Sequence, residues 1–99
     1  MTINKMLNED TVTLALEGRI DTATSPALQA AILEAFQSAR NLVLDFEKVP
    51  YISSAGLRAL LIGQKTAASK RGKMELIHVS EMVYSILETV GFTDILILR

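Results

Sequence analysis

Two adjacent hydroxyls, Ser53 and Ser54, follow the pair Tyr51-Ile52 and open the run Ala55-Gly56-Leu57-Arg58-Ala59-Leu60-Leu61, which has the composition of a helix. A serine at such a junction caps the helix by accepting from its unpaired first-turn N–H groups. The same place suits a phosphate, because a helix N-terminus favours negative charge, so one serine of the pair can cap while the other accepts phosphate. A second polar constellation, Gly18-Arg19-Ile20-Asp21-Thr22-Ala23-Thr24, precedes the first helical pattern. Gly18 frees the backbone to turn, and Asp21, Thr22 and Thr24 supply the acceptors of an exposed turn and cap. If the two loops lie at one end of a sheet, they form a single polar surface.

Elsewhere the side chains offer little for catalysis. His78 is the only histidine and there is no cysteine, so His78 reads as structural or solvent-facing rather than as a metal ligand or base. Asp45 and Glu47 flank Phe46 on one stretch and read as a solvated strand end rather than an acid dyad. The nucleophile elbow G-x-S-x-G is absent, as are the glycine patterns that cradle nucleotide phosphates. No enzyme activity, cofactor or metal is expected from these motifs.

The elements that must hold the two loops are readable from hydropathy period. Residues 2–7 alternate weakly and residues 11–17 cleanly, with Val12, Leu14 and Leu16 on one face. The cluster Asn8-Glu9-Asp10 separates the two runs, which predicts an antiparallel hairpin. Leu28, Ile32, Leu33 and Phe36 recur at helical spacing, with Ser25 as the expected N-cap and Pro26 at the first helical position. Leu42-Val43-Leu44-Asp45-Phe46 is nearly continuous in apolar character, which predicts a central strand covered on both faces. A second helix is expected over 55–70, stopped by Arg71-Gly72, and a strand over 74–79. Ser80 would cap a third helix carrying Met82, Val83, Ile86, Leu87 and Val90, ended by Gly91, while 95–98 suits either a last strand or a helical turn. Strands alternating with helices after a hairpin define a small α/β domain. It has a mixed β-sheet, an N-terminal hairpin and parallel β-α-β crossovers packed by helices.

Composition narrows the class further. A chain of 99 residues, 49% hydrophobic and 21% charged, has the size of one folded domain, residues 1–99. Ten Lys+Arg against eleven Asp+Glu leave a net charge of −1, which excludes the basic footprint of a nucleic-acid or anionic-membrane binder. With two Tyr, three Phe and no Trp, the chain also lacks a base-stacking platform. Neither a signal-peptide pattern nor an apolar stretch of roughly 20 residues is present, so a cytoplasmic location without membrane insertion is expected.

The element order and two motifs resemble the STAS-domain anti-sigma factor antagonists, the anti-anti-sigma factors of bacterial partner switching, over essentially the whole chain. Leu16-x-Gly18-x-Ile20-Asp21 is similar to that family's L-x-G-x-[LIV]-D turn, and Ser53-Ser54-Ala55-Gly56-Leu57 to its [DS]-S-[STA]-G-L phosphorylation segment. Carried over by position, the resemblance puts the phosphoacceptor at Ser54, with Ser53 as the second candidate. Family members commonly have aspartate where this chain has Ser53, and often a hydroxyl residue where it has Ala55. The resemblance implies an anti-sigma factor serine/threonine kinase and a PP2C-type phosphatase as partners. It also implies a docking surface of Gly18, Asp21, Thr22, Thr24, Ser53, Ser54, Ala55, Gly56, Leu57 and Arg58. Two other roles fit the same domain: a STAS accessory subunit of a membrane transporter or lipid-trafficking ATPase complex, not phosphorylated, and a carrier of a small apolar ligand.

Overall fold

The computed structural model describes residues 1–99. Strands β1 (Thr2–Asn8) and β2 (Thr11–Glu17) are followed by helix α1 (Ser25–Ser38), strand β3 (Asn41–Lys48), helix α2 (Ser54–Ser69), strand β4 (Met74–Ile77) and helix α3 (Glu81–Thr89). A 3-10 turn over Phe92–Asp94 then leads to strand β5 (Ile97–Leu98). The five strands lie side by side in sequence order. The hairpin pairs β1 with β2 antiparallel, Ile3 opposite Leu16 and Leu7 opposite Val12, and the other three pairings are parallel. The α/β class, the mixed sheet and the expected element order are therefore present. The ending of the chain uses both alternatives in turn, a helical turn and then a short strand.

Right-handed crossovers that always step the same way along a sheet put every helix on one face. That face is apolar. Val12, Leu14, Leu16, Leu42, Leu44, Phe46, Met74 and Leu76 are buried against Leu28, Ile32 and Phe36 of α1, Leu57 and Leu60 of α2, and Val83 and Leu87 of α3, in one cluster of 23 residues. The opposite face stays partly open: Thr13, Ala15, Val43, Asp45, Glu75 and Ile77 are half-buried. This corrects the expectation that β3 is covered on both faces. Its apolar run alternates between a buried and an open side, and Asp45 lies on the open one.

Two helix ends also differ from expectation. The N-cap of α1 is Thr24 rather than Ser25, which is buried in the first turn, and Thr24 makes no side-chain cap bond to the helix. Its hydroxyl is used by the preceding loop instead. At the end of α2, Arg71 rather than a glycine adopts the left-handed conformation, with φ 58°. The Arg71 and Gly72 N–H groups donate to the carbonyls of Ala68 and Ala67, at 3.1 and 2.9 Å, which closes the helix as a Schellman turn. Gly72 is required for another reason: a Cβ there would fall 1.8 Å from the Arg40 carbonyl oxygen. In α3 the Ser80 hydroxyl accepts from the Val83 N–H at 3.2 Å, as expected of a cap. Val83 and Leu87 face the core, whereas Met82 and Val90, off that stripe, are exposed.

Candidate functional site

Strands β2 and β3 run parallel, so their C-terminal ends deliver the two polar loops to the same edge of the sheet. A register shift between Ala15 and Glu17 bends the pair just before the loops begin. Beyond it the loops are stitched together through the backbone. Gly18 donates to the Lys48 carbonyl at 3.0 Å, Ile20 to Tyr51 at 2.9 Å, and Ser53 back to Ile20 at 2.8 Å. Ile20 and Ile52 form an isolated parallel bridge. Gly18 takes φ +115°, a conformation that side chains resist, which allows the chain to turn out of β2 and meet the second loop. Across the top, the Arg19 guanidinium lies 4.5 Å from the centre of the Tyr51 ring, a cation–π contact. The sequence reading missed this stack, because Arg19 occupies an unspecified position of its motif, Tyr51 lies just ahead of the other, and the two are brought together only by the parallel pairing.

The first loop is folded around Asp21. Its carboxylate accepts from the N–H groups of Ala23 and Thr24, each at 3.0 Å, and lies 3.1 Å from the Thr24 hydroxyl. Thr24 Oγ1 accepts from the Asp21 N–H at 2.9 Å and also lies 2.9 Å from the Arg19 carbonyl. The Thr24 N–H bond, above all, then the Thr24 hydroxyl and more weakly the Ala23 N–H and Arg19, hold the Asp21 carboxyl below its ordinary pKa despite partial desolvation. Asp21 is therefore half-buried and engaged in the turn, not the free acceptor of an exposed one.

The second loop divides the labour of its two serines. Ser53 is the N-cap of α2, in extended conformation, and its hydroxyl accepts from the Gly56 N–H at 3.4 Å. Ser54, the first helical residue, is exposed, and its hydroxyl has no intramolecular hydrogen-bond partner. Gly56 is buried because α2 begins directly on the bridge. A Cβ there would stand 2.5 Å from Ile20 Cγ2 and 2.6 Å from Ile52 Cγ1. Leu57 is also buried, at 8% exposure, so Gly56 and Leu57 support the surface from below and do not present a side chain to a partner. Thr22, Ser54 and Arg58 are exposed, and Gly18, Thr24, Ser53 and Ala55 half-buried. Beside them an open groove of about 360 Å³ runs between α1 and α2, lined by Pro26, Gln29, Leu33, Ala55 and Arg58 among others.

A STAS domain model matches residues 2–99, and the chain belongs to that family. Within it the chain is similar to proteins described as anti-sigma factor antagonists. It is 32% identical over 81 residues to the protein designated anti-sigma factor antagonist BtrV of Bordetella bronchiseptica, covering 81% of this chain and 70% of the relative. Among solved structures, an anti-sigma factor antagonist from Thermotoga maritima superposes with TM-score 0.90 at 16% identity, over 97% of this chain and 84% of that one. Unphosphorylated SpoIIAA does so with TM-score 0.84 at 21% identity, over 99% and 88%. The phosphorylated Bacillus SpoIIAA gives TM-score 0.77 at 20% identity, over 99% and 91%. A sulfate transporter family protein from Wolinella succinogenes shares the fold with TM-score 0.77 at 20% identity, over 91% and 74%. No helix of this chain is long and apolar enough to cross a membrane.

Proposed function

We propose that this chain is a phosphorylation-controlled anti-sigma factor antagonist whose acceptor is Ser54. In its unphosphorylated form it binds an anti-sigma factor serine/threonine kinase and so frees the sigma factor that the kinase restrains. The kinase phosphorylates Ser54, the pair separates, and a PP2C-type phosphatase restores the binding form. The protein acts as a binding switch in the cytoplasm and catalyses nothing itself.

The observation that carries this reading is the division between the serines. Ser53 holds the helix cap, while Ser54 projects an unengaged hydroxyl from the first turn of α2. A phosphate on Ser54 adds about −1.5 to −2 charge where the helix macrodipole is favourable, so the fold tolerates it. A docked partner does not. A dianion facing a surface shaped for a hydroxyl must shed its hydration with no matching cation provided for it. The backbone bridge between the loops makes the surrounding residues one rigid unit, with Thr22, Ser54 and Arg58 presented and Asp21 and Gly56 holding the shape.

The test is incubation with the cognate kinase and ATP followed by phosphopeptide mapping. Label on Ser54, absent in Ser54→Ala and retained in Ser53→Ala, is the expected result; label confined to Ser53 would overturn the assignment. The transporter-type neighbour supports a second reading, an accessory subunit docking an ATPase through the same helix face. Co-purification with an ATPase and no phosphorylation by any kinase partner is the outcome that favours it.

A further inference from the structure

On the open face of the sheet, away from the helices, three ligand-type side chains meet where β3 and β4 end. Asp45, Glu47 and His78 each bring one donor atom into a group spanning no more than 4.8 Å. We propose that they form a binding site for a borderline divalent cation of the zinc type, distinct from the switch loops.

The placement follows from the strands. Asp45 and Glu47 are two residues apart in β3, which puts both on one face. Parallel pairing sets Asp45 beside Ile77, so the next residue, His78, emerges against it. His78 takes a left-handed backbone conformation, φ 58°, as the chain leaves β4. Its Nδ1 stands 2.9 Å from Asp45 Oδ1. Glu47 makes no ion pair, and the nearby Lys48 ammonium is directed to Glu17 at 3.8 Å. The imidazole is therefore the only cationic group hydrogen-bonded to these carboxylates, with Lys48 acting on Asp45 only through space. An adjoining open cavity of about 170 Å³, lined by Asn4, Glu17, Asp45, Glu47 and Lys48 among others, leaves room for a hydrated ion and adds oxygen donors.

The donor set selects the cation. One imidazole nitrogen with two carboxylates suits zinc or its transition-metal neighbours, whereas magnesium and calcium are held by oxygen alone. Ligands about 2.1 Å from a tetrahedral zinc ion stand about 3.4 Å from one another. The Asp45–His78 pair needs to open by only about half an ångström, and the exposed Glu47 side chain can swing in by rotation alone. The metal takes the place of the proton between Nδ1 and Oδ1, and water fills the remaining position. Bound there, it ties the ends of β3 and β4 together at the edge of the sheet from which the switch loops also leave.

Because the chain has one histidine and no cysteine, the test is unambiguous. Zinc is titrated into the metal-free protein in a non-chelating buffer at neutral pH, followed by calorimetry and by nitrogen-edited NMR of the imidazole. The expected result is one-to-one binding, a shift of the His78 Nδ1 resonance, and a melting temperature that rises with zinc concentration. His78→Asn keeps a residue that tolerates the left-handed backbone, so it should stay folded while affinity falls by roughly tenfold or more. Asp45→Asn and Glu47→Gln should each weaken binding, with melting curves in chelator verifying that they fold. Zinc affinity unchanged in His78→Asn, or absent from the parent protein at millimolar zinc, overturns the proposal.

Discussion

Gly56 is the point where the switch loops and the core depend on the same few ångströms. In Gly56→Ala the new methyl group would lie 2.5 Å from Ile20 Cγ2 and 2.6 Å from Ile52 Cγ1, against an ordinary carbon contact of about 3.5–4.0 Å. Both isoleucines are buried to 1% exposure or less, so neither can swing into solvent, and each must shift by about 1 Å. Such overpacking costs about 1–3 kcal/mol, and replacing a helical glycine by alanine returns about 0.8–1 kcal/mol. With the two neighbours held by backbone bonds at Ile20, Tyr51 and Ser53, the net loss is expected at about 1–2 kcal/mol. A domain of this size then melts about 4–8 °C lower for each kcal/mol. Calorimetric melting provides the first measurement. Hydrogen exchange gives the second, with faster exchange expected at the Ile20 and Ser53 amides, whose bonds join the loops. Gly63→Ala is the comparison. Its methyl group meets Met74 Sδ at 2.7 Å, which the flexible thioether can relieve, and buried Ile32 Cγ2 at 2.9 Å, which must shift. A loss smaller than that of Gly56→Ala but not zero is expected. A Gly56→Ala protein as stable as the parent, with the two amides unchanged, would refute the reasoning.

Three further outcomes follow from the same geometry. Ser53→Ala should lose about 0.5–1 kcal/mol in urea unfolding, at the low end for a cap because its bond is long, whereas Ser54→Ala should stay within about ±0.5 kcal/mol; equal losses would contradict the division of roles. The His78 pKa is raised above 6.5, chiefly by its hydrogen bond to Asp45 and despite some desolvation. Its stabilising contribution is thus complete below that value and lost as pH rises through the folded-state value. NMR titration in chelator should show the raised pKa and its return toward the ordinary value in Asp45→Asn. Asp21 titrates below 3.8, so its contribution is present above that pH and lost as pH falls through the lowered folded value. Asp21→Ala should therefore melt lower than the parent at neutral pH and converge with it in acid, and a constant gap down to the lowest pH would count against the carboxylate.

Elements with a strict hydropathy period were readable residue by residue. The alternation of Val12, Leu14 and Leu16 and the helical recurrence of Leu28, Ile32 and Phe36 are the core positions observed. What local pattern did not carry was mostly set by contacts far apart in sequence. Gly72 is needed because Arg40, in another connection, passes beneath it, whereas the departure at α1 is local: Thr24 stands at the N-cap position with its hydroxyl held by Asp21 in the preceding turn instead of by the helix. The open face of β3 follows from the common direction of the crossovers, which a five-residue apolar run cannot report. Within the site, the sequence placed Ser54 and Asp21 in neighbouring loops only conditionally. The backbone bridge through Ile20 and Ile52 joins them. The partly engaged state of Asp21 and the burial of Leu57 emerge only from packing.

Partial burial raises the Asp45 carboxyl pKa, yet the Glu47 N–H and His78 outweigh it and hold the group below its ordinary value. Of the two acids that read as a solvated strand end, Asp45 is thus held by the histidine that follows the neighbouring strand, while Glu47 stays exposed. Spacing along β3 alone gave no sign of this, since His78 stands 33 residues away from Asp45.

The most direct test of the switch is calorimetric titration of the cognate anti-sigma factor kinase with this protein in two forms, unmodified and quantitatively phosphorylated on Ser54. The account predicts clear binding of the first and an affinity weaker by roughly a hundredfold or more, about 2.7 kcal/mol, for the second, with both forms folded. Equal affinity of the two forms would contradict it.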